Sequence, residues 1–331
     1  MKKGPLVTIS LLTWNGARYL PWVLKSIKDQ KYKNLELLVL DNASTDESVD
    51  VIRDVYPDAR VIQQKKNIGF AKGHNLLVNW SESDYVLFLN QDIVLEPEYI
   101  SELVDFLESN KKSASAMGKL LYWDFEEGDK TSLIDSFGLS IDKRRKVVDL
   151  YQGKKDFKIG NTEIFGPTGA APLYRRQALN TIAIPSDDGQ HQQYFDEDFF
   201  AYKEDIDLAW RLRLIGWEHW LVTSGTAYHH RTISSQNAKE RRKHSVIANK
   251  LSYRNHFMML YKNSFYKNLF RDFFQIKWYE FKKIIYLLIF ERKTLAGIGE
   301  YFKSIPKLAK KRKIAMKHRN VDAEDIYKWF K

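Results

Sequence analysis

Four short stretches place chemically useful side chains where a fold would have to hold them on purpose. FLNQDIV (Phe88–Val94) runs an apolar segment into Asn90, Gln91 and Asp92, then turns apolar again. A buried strand gains nothing from a carboxylate unless something needs it there. Asp92 therefore reads either as a solvated strand-end cap or as a metal or nucleotide ligand at a sheet edge. In LLVLDNASTD, Asp41 follows a second apolar run, where it can accept the imide N–H of a pyrimidine or close an Asx turn. YKEDIDL sets Glu204 beside Asp205 at a helix start, a place the helix dipole also favours for acids. TSGTAYHH ends on His229 and His230, as a metal ligand or as a histidine exposed at a strand end.

The elements that must position these groups follow from periodicity. Leu6–Leu12, Leu35–Leu40, Ala59–Gln63 and Tyr85–Leu89 are β-prone runs. Between them Leu20, Val23, Leu24 and Ile27 recur at helical spacing, and short helices are expected at Val49–Ile52 and Leu76–Trp80. Apolar strands alternating with helices predict an α/β, Rossmann-like, mainly parallel sheet with helices on both faces. Ligands of such sheets bind beyond the carboxyl ends of the strands, where Asp41, Asn67 and Asp92 fall. A helix is expected over Glu204–Ile215, with Asp207 and Arg211 paired at i, i+4 and Gly216 as its C-cap. GPTGAAP leads into LYRRQAL, which is expected to begin another helix.

The 331 residues include 44% hydrophobic and 29% charged residues, the balance of an ordinary folded chain. There is no cysteine, which excludes disulfides and thiolate metal sites and fits a cytoplasmic location. MKKGPLVTISLLTW reads as a first strand rather than a signal peptide, and no run reaches the ~18 apolar residues of a membrane span. Net charge is +11 but uneven: Arg231–Lys331 holds 25 Lys/Arg against 8 Asp/Glu, leaving 28 against 34 for the rest. That asymmetry suggests two parts, residues 1–235 and 236–331. In the second, Phe270, Phe274, Trp278, Phe281, Ile285 and Leu288 recur at spacings of three and four among lysines, a basic amphipathic helix. The expectation is that this stripe packs partly on the catalytic part, while KLAKKRKIAMKHR (307–319) meets an anionic membrane surface. A contact with a second copy, giving a homodimer, is the other use of such a face.

Taken in order, VTISLLTWN, LLVLDNASTD, NIGFAKGHN, LFLNQDIVL, GPTGAAPLYRR and FDEDFFAYKEDIDLAWRLRLIGW resemble the family-two inverting glycosyltransferases, most closely the rhamnosyltransferase-type enzymes of bacterial surface polysaccharides. The resemblance spans about Val7 to His229. It implies a GT-A fold, a dTDP-, UDP- or GDP-sugar donor, a lipid-linked or glycan acceptor, and work at the inner face of the cell membrane. By resemblance Thr13, Asn15, Asp41, Asn67, Gly69, Asn75 and Asn90 serve the nucleotide, and Gly169 and Ala170 line the donor sugar. Asn90 and Asp92 stand at the two Asp positions of the family's DxD motif, with Asp92 and His229 holding Mg²⁺ or Mn²⁺ and His230 as the alternative register. Asp205 is the implied general base, with Glu204 beside it positioning the acceptor. Two rival classes remain. A nucleotidyltransferase would need a glycine- and basic-rich loop where TWNGARYLP stands, and a nucleic-acid-binding protein would use the basic tail, against the acidic first part.

Overall fold

Three of the four runs at the start become strands buried on both faces, as their apolar composition suggests, while the third, Arg60–Gln63, is an edge strand with no buried residue. The computed structural model describes residues 4–231 and 245–331. In β1 (Val7–Thr13), β2 (Leu35–Asp41), β3 (Arg60–Gln63) and β4 (Tyr85–Asn90) alternate residues enter opposite layers. Leu87 and Leu89 join the cluster under α1 (Leu20–Lys28) and α4 (Tyr99–Ser109). Val86 and Phe88 join the one under α3 (Phe70–Asn79) and α6 (Glu204–Ile215). A helix α2 (Ser48–Val55) and a short strand β5 (Ile93–Leu95) complete this half.

The parallel order is β3–β2–β1–β4, so the chain reverses its direction of growth between β1 and β4. That is the crevice where open α/β sheets bind ligands. Gln91 seals it from below, accepting hydrogen bonds from Thr13 Oγ1 (2.8 Å) and the Trp14 backbone N–H (2.7 Å). Beyond β4 the sheet continues through a further strand to β6 (Ser113–Asp124). Antiparallel to β6 runs β7 (Asp129–Ser136), and a small hairpin pairs β8 (Leu139–Ile141) with β9 (Val147–Asp149). The order closes on β10 (Thr162–Glu163) and the long strand that follows α6.

LYRRQAL is not helical throughout. Leu173–Arg175 forms β11, antiparallel between β4 and β6, and only then does α5 (Arg176–Asn180) begin. The Arg175 guanidinium sits inside the protein, donating to the carbonyls of Ser113 and Leu107. β12 (Ile184–Pro185) and β13 (Gln192–Gln193) make a two-stranded ribbon, and β14 (Glu218–His229) runs parallel to β6. The helix Glu204–Ile215 has its expected bounds, closed by Gly216 at φ 99°.

Five helices follow residue 245: α7 (Val246–Asn263), α8 (Tyr266–Arg271), α9 (Phe273–Phe290), α10 (Ala296–Lys317) and α11 (Ala323–Tyr327). The expected division at 235/236 lies outside the described residues. The helices beyond it share one hydrophobic cluster with the sheet part, in which Met258, Met259, Leu308 and Phe330 pack with Phe165, Ile206 and Trp210. Buried ion pairs reinforce it: Lys262 meets Asp207 (2.8 Å) and Asp196, and Lys311 meets Asp196 and Asp198.

The basic 307–319 segment divides: Lys310, Lys313, Lys317 and Arg319 are exposed, while its three other cations find partners within the protein. Lys307, Lys311 and Arg312 of the 307–319 segment are turned inward, onto Asp187, Asp196, Asp198 and the Tyr261 carbonyl. The 270–288 stripe, expected to be partly packed, faces solvent instead. The acidic loop recruits the tail's lysines because unpaired carboxylates there would be costly to bury.

Candidate active site

A cavity of about 670 Å³ opens at the carboxyl ends of the strands, and Asn90, Gly169, Ala170, Glu204, Asp205 and His229 all line it. Six residues drawn from segments up to 139 positions apart thus meet in one place. Asn90 ends β4, and its backbone N–H donates to the Ala170 carbonyl (2.9 Å), tying the strand to the GPTGAAP loop. Gly169 donates its N–H to Asp205 Oδ2 (3.2 Å), while Asp205 Oδ1 accepts from the Ile206 N–H (2.7 Å). A β-carbon on Gly169 would stand 3.4 Å from that of Asp205, so the small residue brings the loop against the carboxylate.

The two neighbouring acids differ. Glu204 is 6% exposed, and its Oε2 is buried with no hydrogen-bond partner. Burial first, then the charge of Asp205, pushes its carboxyl up to about 8, so it carries its proton at neutral pH. Asp205 is also raised, by burial, but the Lys203 charge and two backbone N–H groups favour its ionised form. Paired carboxyl groups pushed apart in this way can divide a task, one donating a hydrogen bond and the other accepting a proton.

His229, which also lines the cavity, ends β14, its Nε2 3.6 Å from Asp92 Oδ1. Its Nδ1 lies 2.7 Å from Oδ2 of Asp135, a fully buried carboxylate on β7. Burial alone would lower the histidine's pKa, but Asp135 and Asp92 outweigh it and raise it to about 9. A cation between Asp92 and Nε2 would take the place of the Nε2 proton. The two donors, one oxygen and one nitrogen held by a carboxylate behind it, suit a hard divalent ion. Among the described residues no group of three His, Asp or Glu side chains gathers into a closed site. The remaining positions would then fall to water and diphosphate oxygens, as is usual for such ions. His230 points away, packed on Tyr19, Trp123 and Phe125, because successive strand residues face opposite sides.

The residues expected on the nucleotide side divide. Asp41 accepts from the Ser44 N–H at 3.2 Å, the Asx turn allowed for it. Asn15, at φ 50°, accepts from the Thr45 N–H (2.8 Å), zipping the first two strand-end loops together. Asn67 accepts from the Gly69 N–H (2.9 Å). Gly69, at φ 85°, approaches not open space but Phe200, whose carbonyl a β-carbon would meet at 2.6 Å. Asn75 needs correction: it is fully buried and spends all four hydrogen-bonding positions on the 194–197 segment. Its Nδ2 donates to the Phe195 carbonyl and Glu197 Oε1, and its Oδ1 accepts from the Tyr194 and Phe195 N–H groups. Nothing is left for a nucleotide.

Several side chains here escaped the sequence reading. Asp135 lies in KTSLIDS, an unremarkable polar strand. Arg231 lines the cavity and pairs with Asp135 (3.1 Å) and Asp149 (3.0 Å). Asn42 bridges the second strand end to the NIGF loop, accepting from the Ile68 N–H at 2.7 Å. From the C-terminal helices, Asn255 donates to the carbonyls of Phe199 (2.9 Å), Ala201 (2.9 Å) and Tyr202 (2.7 Å), gripping the loop that enters α6.

Comparison with known proteins agrees with this architecture. Two uncharacterized glycosyltransferases of Haemophilus influenzae are similar, one 30% identical over 124 residues (37% of this chain, 38% of that protein). The other is 26% identical over 205 residues, 61% of this chain and 75% of that protein. An Escherichia coli UDP-Glc:alpha-D-GlcNAc-diphosphoundecaprenol beta-1,3-glucosyltransferase is 30% identical over 122 residues, 36% of this chain and 48% of the relative. The matches thus span between about two fifths and three quarters of these relatives' lengths. Among solved structures, GalNAc-T7 with UDP, GalNAc and Mn²⁺ superposes with a TM-score of 0.60 at 10% identity, over 79% of this chain and 48% of that one. A Pyrobaculum calidifontis mannosyltransferase with GDP-Man and Mn²⁺ gives 0.52 at 14%, over 92% and 76%. These likenesses establish the GT-A fold. The family model described as glycosyl transferase family 2 matches residues 8–183, more than half the chain and all of the crevice between the first and fourth strands. The chain belongs to glycosyl transferase family 2.

Proposed function

We propose that this enzyme transfers a sugar, with inversion, from a nucleoside-diphosphate donor to a hydroxyl of a lipid-linked or polysaccharide acceptor in bacterial surface-glycan synthesis. The observation that carries the reading is that one cavity is lined both by His229, which stands 3.6 Å from Asp92, and by the carboxyl pair Glu204 and Asp205. The nucleotide lies over the carboxyl ends of β1 and β2, near Asp41, Asn15 and Asn67, and its diphosphate reaches Asn90 and Asp92. Asp92 and His229 hold Mg²⁺ or Mn²⁺, which when bound offsets the charge of the departing diphosphate. Asp135 keeps the proton on His229 Nδ1 and so presents Nε2 as a lone-pair donor. Arg231, beside them, adds a fixed positive charge to the same cavity.

Asp205 takes the proton from the acceptor hydroxyl as its oxygen attacks the anomeric carbon from the face opposite the leaving phosphate. Its carboxylate keeps lone pairs beyond those used by Gly169 and Ile206. Glu204, protonated, donates a hydrogen bond to an acceptor oxygen and orients it. The E. coli relative's printed acceptor, a diphosphoundecaprenol-linked sugar, supports a lipid-linked acceptor, and rhamnose is the donor sugar suggested by the sequence resemblance. Such an enzyme works on the cytoplasmic face of the membrane.

The test is thermal stabilisation by a panel of nucleoside diphosphates and nucleotide sugars, with and without Mn²⁺, followed by turnover. Manganese-dependent stabilisation by one nucleotide class is expected. Asp205→Asn should keep that stabilisation and lose turnover by at least 10²-fold. Unchanged kcat in the variant removes Asp205 as the base, and no stabilisation by any nucleotide removes the reading.

A further inference from the structure

Helix α9 leaves a broad apolar face in solvent. Phe274 is 84% exposed and Trp278 60%, with Phe281, Ile285, Leu288 and Ile289 also exposed, and Phe270 of α8 extends the row. Taking the buried Glu280 as the origin and about 100° per residue, these six α9 side chains fall between about 80° and 180°. Lys277 falls at about 60° and Lys282 at about 200°, one cation along each border. The lysine heads lie over the Phe273 and Trp278 rings, at 5.7 and 5.4 Å from the centroids. A contiguous aromatic face of this kind on a folded chain marks a docking surface.

Charge identifies the occupant. The only carboxylate of α9, Glu280, is turned inward onto His256 (3.2 Å) and Tyr253 (3.1 Å). Asp272, just before it, is buried on Arg145 (2.8 Å). Arg292 and Lys293 add exposed cations past the far end. A second copy packed symmetrically on this face would bring lysine borders against lysine borders with no helix carboxylate between them. An anionic lipid surface supplies both an apolar layer for the stripe and phosphates for its borders. Nor is α9 a crossing segment: among the described residues no helix is long and apolar enough to span a membrane.

We propose that α9, prolonged by Phe270, lies in the plane of a bilayer surface bearing anionic headgroups, with the Phe274–Ile289 stripe inserted and Lys277 and Lys282 on lipid phosphates. This deepens the reading above by naming the surface that meets the membrane, and it rests on that reading only for a lipid-linked acceptor.

The experiment is flotation of the full chain with vesicles of phosphatidylcholine alone and of equimolar phosphatidylcholine and phosphatidylglycerol, at low and high salt. Two variants accompany it, Phe274→Ser/Trp278→Ser/Phe281→Ser and Lys277→Gln/Lys282→Gln. Both change exposed side chains, so both should keep the wild-type melting temperature and nucleotide-dependent stabilisation. Wild type should bind the anionic vesicles and be weakened by salt. The serine variant should lose at least tenfold in affinity, and the glutamine variant about thirtyfold, the factor for two lysine–lipid contacts. Three results would overturn the proposal: wild type failing to bind anionic vesicles, the serine variant binding as wild type does, or a wild-type dimer that the serine variant turns into a monomer. Vesicle binding is read without donor or turnover, so absent nucleotide stabilisation would defeat the catalytic reading and leave this surface standing.

Discussion

Replacing Glu204 by Gln tests the electrostatics of the site independently of any substrate. The unfolded carboxyl titrates near 4.5 and the folded one is pushed up to about 8 by burial and Asp205. Between those values the native state holds a proton that the unfolded chain has released. Stability therefore falls as pH rises through this window, by about 1.4 kcal/mol per unit. Across the whole window the loss is about 5 kcal/mol, and between about pH 5.5 and 7.5 about 3 kcal/mol. Glutamine has the same shape and no proton to lose, so this slope disappears from the variant. Asp205, also raised by burial, adds a slope of the same sign to both proteins. The assay is urea unfolding of wild type and Glu204→Gln at several pH values. Wild type should lose about 3 kcal/mol more than the variant over those two units. Parallel pH profiles, within about 0.5 kcal/mol, would refute the buried, protonated carboxyl. The same ionisation should bring a basic limb near pH 8 to kcat/KM, absent in the variant.

Other perturbations separate holding from chemistry. Asp135→Asn should weaken Mn²⁺-dependent nucleotide stabilisation by about 10- to 100-fold, measured by manganese titration, because His229 loses the carboxylate that fixes its tautomer. Asn75→Ala should destabilise the fold by about 2–4 kcal/mol in urea, since it orphans several buried groups on the 194–197 segment. After correction for stability, its nucleotide affinity should match wild type. Lys262→Met leaves Asp196 and Asp207 facing each other without their shared cation, at about 3–5 kcal/mol by denaturant unfolding. Gly69→Ala should lower kcat rather than nucleotide affinity, because the new methyl group displaces Phe200 and the loop entering α6.

Much of this fold is written in short-range signals. β1, β2 and β4 are largely apolar because both their faces are buried, and the helix that starts at Glu204 carries its own cap in Gly216. The site was legible to the extent that its groups sit at strand or helix ends: Asp92, Glu204, Asp205 and His229. What stayed hidden depends on contacts between distant segments. Asp135 reads as one acid in a polar strand until β7 folds back along β6 and brings it under His229, 94 residues later. The resemblance of NIGFAKGHN assigns Asn75 to the nucleotide, whereas its partners lie about 120 residues on. The choice between His229 and His230 rested on strand parity, which is fixed only by pairing with β5. For the α9 stripe, helical spacing says which side chains share a face and not what that face meets.

Asn255 has a consequence for how such enzymes can be recombined. Its one amide holds three successive stations, at Phe199, Ala201 and Tyr202, of the loop that delivers Glu204 and Asp205. A chimera joined near residue 232 would therefore exchange more than a membrane-facing appendage. The incoming helices would have to present an amide at the position of Asn255, and cations for Asp196 and Asp198, or the loop that carries Glu204 and Asp205 would shift. A transplant of residues 194–203 together with the C-terminal helices keeps those contacts, but it still has to match Asp207, which Lys262 meets, and the Phe165, Ile206 and Trp210 side chains of the shared cluster.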